Sequence, residues 1–199
     1  MSVPTPVIKD FDLLDAVVRD LAAIDDWSVF WHPVNSSFLG RDYAERVRTA
    51  TGWTPHLPNS EMPNGTTSVE FQLPCGGCVD AEATVVSVKR PDPLWSLRIE
   101  AAGVTTDAVD AARSLAIAAT NEYAHRIAAL LGAPEIGPVA VSGNETEQPL
   151  DVDFPGAIAG WQRTNGIIRL VAGQYGPLFA DEDAYFSIGL DVRPGDRRG

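Results

Sequence analysis

The sequence predicts an α+β fold: an antiparallel sheet of about six strands packed against one long helix, at about 105–131. Three features predict it. Several short segments alternate apolar and polar residues, which marks strands with one face in a core and one in water. One long segment repeats apolar residues at helical spacing, and its middle is rich in alanine. Gly, Pro and Asn punctuate the alternating segments as turn residues do.

Phe11, Leu14, Val17, Val18, Leu21 and Ile24 recur at helical spacing, with Asp12, Asp15, Arg19 and Asp20 on the other side. This predicts a first helix over about 10–24, with Asp10 as its N-cap and Asp25-Asp26 as its end. Trp27 to His32 reads as a short strand stopped by Pro33, with large residues on both faces. A second helix is expected over about 41–51, closed by Gly52. Trp53 to Thr66 contains Pro55, Pro58, Pro63 and Asn64-Gly65, and reads as a loop long enough to suggest function.

Strands are expected at Val69–Leu73, along the β-branched run Val79–Lys89, and at Trp95–Ile99 after a turn at Pro91-Asp92-Pro93. On their wet face Glu70, Glu82, Arg98 and Glu100 are expected to form cross-strand charge pairs, each worth roughly a few tenths of a kcal/mol. The long helix starts at a Thr105 or Thr106 cap and ends at Gly132 and Pro134. Its inner stripe is Val109, Ala112, Ala116, Ala119, Tyr123, Ile127 and Leu130, and the alanines let its backbone lie close to a sheet. Residues 133–199 read as a β-rich part of the same single domain, 1–199. There Ala157–Thr164 and Ile167–Val171 flank Asn165-Gly166, a pair favoured in two-residue hairpin turns, and Ala184–Val192 alternates as a further strand.

The chain of 199 residues is 45% hydrophobic and 21% charged, enough to bury a core without metal or disulfide staples. Its formal net charge of -12 repels nucleic-acid phosphates and anionic membrane surfaces, and suits a basic partner or a small molecule. The first ten residues lack the basic and apolar regions of a signal peptide, and no stretch approaches the roughly 20 apolar residues of a membrane span. A cytoplasmic location is expected.

Cys75-Gly-Gly-Cys78 has metal or redox spacing. Zinc needs four ligands; no second cysteine pair exists, so His32 and His56 would have to extend a Cys2His set. A redox pair of this spacing needs a helix N-terminus, whereas Thr84, Val85, Val86 and Val88 lead here into a strand. A Gly-Gly turn between antiparallel strands, with Cys75 and Cys78 at its tip, fits better. If a metal is bound, Cys75 and Cys78 are its candidate ligands; no cofactor is expected. Glu122-x-x-His125 lacks the second such unit that a carboxylate-bridged metal site requires. The acids Asp151, Asp153, Asp181, Glu182 and Asp183 lack calcium-loop spacing.

Nucleophile-elbow and phosphate-cradling motifs are absent from the sequence. Two functional readings follow. The favoured one is a non-enzymatic acidic binding protein, of adaptor or neutralising type, that engages a protein partner. Trp53, His56 and Met62 are its candidate partner-binding residues, because aromatic and Met side chains bury much area at interfaces. The competing expectation for Trp53 is that it folds back over the core. The second reading is a small enzyme or ligand-binding domain with a pocket between the long helix and the sheet, using His32 and His56.

Overall fold

The computed structural model describes residues 10–31, 40–56, 67–135, 157–175 and 183–195. In chain order these form helix α1 (Phe11–Ala22), helix α2 (Arg41–Thr51), strands β1 (Thr54–His56), β2 (Ser68–Gln72), β3 (Cys78–Glu82), β4 (Val86–Arg90) and β5 (Trp95–Ile99), helix α3 (Thr106–Leu131), and strands β6 (Ala157–Arg163), β7 (Gly166–Tyr175) and β8 (Ala184–Pro194). Short 3-10 turns occupy Trp27–Val29 and Ala101–Gly103. The class is α+β with an antiparallel sheet, as the alternation predicts, but the described strands number eight rather than about six.

The described chain divides into two compact units. The first contains 10–31, 40–56, 67–91, 161–169 and 190–195. Its strand order is β1-β2-β3-β4-β8-β7-β6, the last three contributing the ends that lie within those ranges. Register is set by Phe71↔Val79 between β2 and β3, Val79↔Val88 between β3 and β4, and Val86↔Val192 between β4 and β8. These five side chains are all at most 2% exposed. Leu14, Val17, Val18 and Leu21 of α1 are equally buried, so the apolar face of that helix has left water as its periodicity requires. Asp10 caps α1 by accepting from the Leu13 N–H at 3.0 Å, and Gly52 closes α2 at φ 74°.

The second unit contains 92–135, 157–160, 170–175 and 183–189. Here β5 pairs antiparallel with β8, from Trp95↔Ile188 to Ile99↔Ala184, and α3 packs against β5. Thr105 caps α3 through the Ala108 N–H, and Gly132 ends it at φ 88°. The buried stripe is Val109, Ala112, Ala116, Ala119, Tyr123 and Ile127 as predicted, with Thr120 added and Leu130 only half-buried. Tyr123 ties helix to sheet by donating its hydroxyl to the Leu94 carbonyl at 2.5 Å. Burial of the ring, followed by the nearby Glu122 charge, pushes the phenol up to about 12.

Four expectations are corrected. Trp27 to Trp31, the described part of the strand expected over Trp27 to His32, is not a strand: Phe30 N–H donates to Trp27 O and Trp31 N–H to Ser28 O, while Asp26 caps the turn by accepting from Ser28 N–H at 2.8 Å. The large residues Trp27, Phe30 and Trp31 are three and four apart, so a helical turn gathers the rings that a strand would split between faces. Val79–Lys89 is two strands rather than one, joined by a turn closed by Glu82 N–H to Val85 O at 2.8 Å. Its inward residues Val79 and Ala81 are odd-numbered and Val86 and Val88 even-numbered, a phase change no single strand can accommodate.

The wet-face charge pairs also differ. Arg98 pairs with Asp183 at 2.7 Å, Glu70 stands opposite Asp80, and Glu82 stands opposite Ser68. The β6–β7 turn comprises Thr164 and Asn165, with Asn165 alone at φ 58°, so Gly166 is already the first residue of β7. No helix among the described residues is long and apolar enough to cross a membrane.

Candidate functional site

In the first unit a cavity of about 380 Å³ opens where α1 and α2 both end. Asp20 and the residues just past α1, namely Ala23, Ile24, Asp25 and Asp26, form one wall, and Ala50 and Thr51 of α2 form another. Ser28, Val29, Trp53 and Pro74 complete it. Three of these residues are carboxylates and none is a lysine or arginine. Helix C-termini add partial negative charge, about half an elementary charge each, from carbonyls left without intrahelical donors. The cavity is therefore negative from two independent sources.

Local bonding fixes much of its wall. Asp26 accepts from the Ser28 N–H at 2.8 Å and from Asn165 Nδ2 at 2.9 Å. These bonds, the Asn165 amide foremost, hold its carboxyl below the usual range and keep it ionised. Thr51 Oγ1 donates to the Val47 carbonyl at 2.8 Å and accepts from the Trp53 N–H at 3.0 Å, which pins the chain as it leaves α2. Arg46 Nε donates to the Val29 carbonyl at 3.2 Å, and its guanidinium lies 5.3 Å from the centre of the Tyr43 ring.

Trp53 is 1% exposed, with its ring centroid 5.3 Å from that of Phe30 and 6.3 Å from that of Trp27. Proposed from the sequence as a partner-binding residue, it instead takes the core-covering place, because Trp27 and Phe30 offer its ring more apolar surface than water does. His56 is exposed on β1, opposite Glu70, and Met62 and His32 lie outside the described residues. Pro55 sits in the middle of β1, which among the described strands pairs only with β2 at the edge of the sheet, where a sheet tolerates proline.

Cys75 and Cys78 flank the β2–β3 turn, as the Gly-Gly spacing predicts, and both are free and half-buried. The turn reaches the cavity: Pro74 lines it, and the Cys75 N–H donates to Asp20 Oδ2 at 3.1 Å. Burial, followed by the hydrogen bond to Asp20, pushes the Cys75 thiol up to about 11, and burial followed by the Glu70 charge raises that of Cys78. Metal ligation needs thiolates, so both shifts oppose it. His56 does not join the cysteines: among the described residues no group of three or more His, Cys, Asp or Glu side chains converges to hold a metal ion.

The Cys75 shift has a measurable consequence. The folded chain holds the thiol proton more tightly than the unfolded chain, so stability is full below the ordinary thiol value of 9.0 and falls as pH rises towards about 11. Cys75→Ser keeps a hydroxyl donor for Asp20 but cannot titrate there. In urea unfolding series from pH 8 to 11 its midpoint is expected to begin its decline at higher pH than that of the parent.

The acids of the cavity are the functional candidates that sequence reasoning overlooked. Asp20 read as the outer face of α1, and Asp25-Asp26 read as a helix end. The doubled acid at a helix C-terminus was the available signal, since the dipole there disfavours negative charge. Asp151, Asp153, Asp181 and Glu182 lie outside the described residues. Comparison with protein-family models, with curated proteins and with solved structures finds no match for this chain.

Proposed function

We propose that this protein is a non-enzymatic acidic binding protein that engages a basic protein partner, of adaptor or neutralising type. The observation that carries the reading is the cavity where α1 and α2 both end, with three carboxylates and no basic residue among the described residues of its wall. Carboxylates placed in a cavity at two helix C-termini favour the approach of a cationic partner. The net charge of -12 adds long-range attraction for the same kind of partner. On the sheet, exposed Glu70 stands directly opposite half-buried Asp80, a like-charge pairing that disfavours the isolated sheet and that a basic partner would offset.

Asp25 is the residue to change, because it is exposed and caps nothing, whereas Asp26 holds the turn and Asp20 holds Cys75. Affinity capture on the full chain is expected to retain one basic partner whose binding falls steeply with added salt. Asp25→Asn is expected to weaken that partner's affinity roughly two- to fivefold at low salt while leaving the unfolding midpoint in place. Retention of the partner undiminished at about 1 M salt, where charge attraction is screened within about 3 Å, would overturn the reading.

A further inference from the structure

We infer that Asn165-Gly166 is a spontaneous deamidation site held in check by Asp26, and that its conversion cuts a tie between the β6–β7 turn and the 3-10 turn at Trp27–Val29. The dipeptide supplies the chemistry. An asparagine amide is attacked by the backbone nitrogen of the next residue, and glycine leaves that nitrogen free of side-chain hindrance. The structure supplies the control. Asn165 is exposed, so water and base reach it, yet its amide Nδ2 donates to Asp26 Oδ1 at 2.9 Å. Its carbonyl accepts from Trp31 Nε1 at 2.6 Å, and the Thr164 carbonyl accepts from the Trp27 N–H at 3.0 Å. Gly166 is buried, with Trp27 filling the space where a β-carbon on it would stand. Ring closure has to swing the amide off Asp26 and turn the Asn165–Gly166 peptide towards Asn165 Cγ, so each of these contacts opposes it.

The reaction balances with water alone and without redox change. The Gly166 nitrogen gives up its proton and bonds to Asn165 Cγ, the Cγ–Nδ2 bond breaks, and Nδ2 leaves as ammonia with that proton. Water then opens the cyclic imide at either carbonyl, giving an aspartyl or an isoaspartyl link to Gly166. Each product carries a carboxylate in place of the amide donor. In the aspartyl product it faces Asp26, which loses a hydrogen bond and gains a like charge. The isoaspartyl product also lengthens the backbone of the turn, which shifts Gly166 from its close fit on Trp27. The Asn165 amide is the foremost cause that holds the Asp26 carboxyl low, so its loss is felt in the wall of the acidic cavity. The tie is a timer, intact in the fresh chain and severed in the aged one. The inference does not depend on the proposed partner.

The test ages the full chain at mildly alkaline pH and follows Asn165 by peptide mass, with Asn64-Gly65, the other such pair in the sequence, as the internal reference. Asp26→Ser keeps an oxygen to cap the Ser28 N–H and removes the carboxylate that holds the Asn165 amide. It is expected to raise the conversion rate of Asn165 relative to Asn64 about two- to tenfold, the factor that one hydrogen bond supplies. Asn165→Asp carries the carboxylate of the product, and at low salt it is expected to unfold at lower urea than Asn165→Gly, which adds no charge and suits φ 58°. Conversion of Asn165 that is equal in the parent and Asp26→Ser, or absent from both, overturns the inference, as does an Asn165→Asp midpoint no lower than that of Asn165→Gly. Should Asp26→Ser fold poorly, the parent decides the matter: Asn165 has to convert faster in urea beyond the unfolding midpoint than in the folded chain.

Discussion

Gly166→Ala is expected to lower the stability of the protein by about 2–3 kcal/mol, read as an earlier midpoint in urea unfolding. A β-carbon at this position would lie 2.6 Å from Trp27 Cγ, 2.7 Å from Trp27 Cβ and 2.9 Å from Cδ1. These are the root and near edge of the side chain, which a rotamer change cannot swing clear. Trp27 is 0% exposed, and its ring is hemmed by Phe30 at 5.0 Å and Trp31 at 6.3 Å between centroids. Replacing glycine by alanine also restricts the unfolded chain, a gain of about 0.4–1 kcal/mol that the clash must exceed. Gly103→Ala gives the comparison: the nearest atom to its new carbon is Ile99 Cγ2 at 3.8 Å, an ordinary contact, so its midpoint should stay within about 0.5 kcal/mol of the parent. Equal midpoints for the two variants would show that the Trp27 cluster yields freely.

Gly166 also shows where the sequence could be read and where it could not. Asn165-Gly166 correctly announced a hairpin, but the pair suggested a glycine needed for its φ. The glycine is needed for space, and that requirement comes from Trp27, far away in the chain. Local chemistry marked the turn, and tertiary contact decided what the glycine does. The α3 stripe was legible for the opposite reason. Period and residue size along one helix specify a face by themselves, so Val109 through Ile127 are buried as expected.

Two misreadings had their correction within the sequence. The spacing of Trp27, Phe30 and Trp31 favours a helical turn over a strand, and the inward residues of Val79–Lys89 change parity halfway along. The candidate cavity is different in kind. Asp20 and Asp25 come from the end of α1, Thr51 from the end of α2, and Pro74 from the β2–β3 turn. No spacing rule joins residues from separate elements, because their meeting depends on how the helices pack on the sheet. Only the adjacency of Asp25 and Asp26 at a helix end hinted at accumulated negative charge.

Trp53→Ala separates the two roles that the sequence left open for this residue. As a core side chain it should cost about 3–5 kcal/mol, the usual loss when a large buried aromatic is truncated and the surroundings only partly collapse. The ring is 1% exposed and lies tilted against Phe30 and edge-on to Trp27, contacts that alanine cannot replace. Its N–H is held by Thr51 Oγ1 through the backbone, so the chain path at the end of α2 should persist and the loss should come from packing. His56→Ala, two residues into the exposed edge strand, should move the midpoint by no more than about 0.5 kcal/mol. An interface anchor would behave in reverse, with stability nearly unchanged and capture of the partner weakened. Because Trp53 also walls the acidic cavity, the binding effect of its removal must be measured well below the variant's unfolding midpoint. An unchanged midpoint for Trp53→Ala with weakened capture would move the tryptophan from the core to the interface.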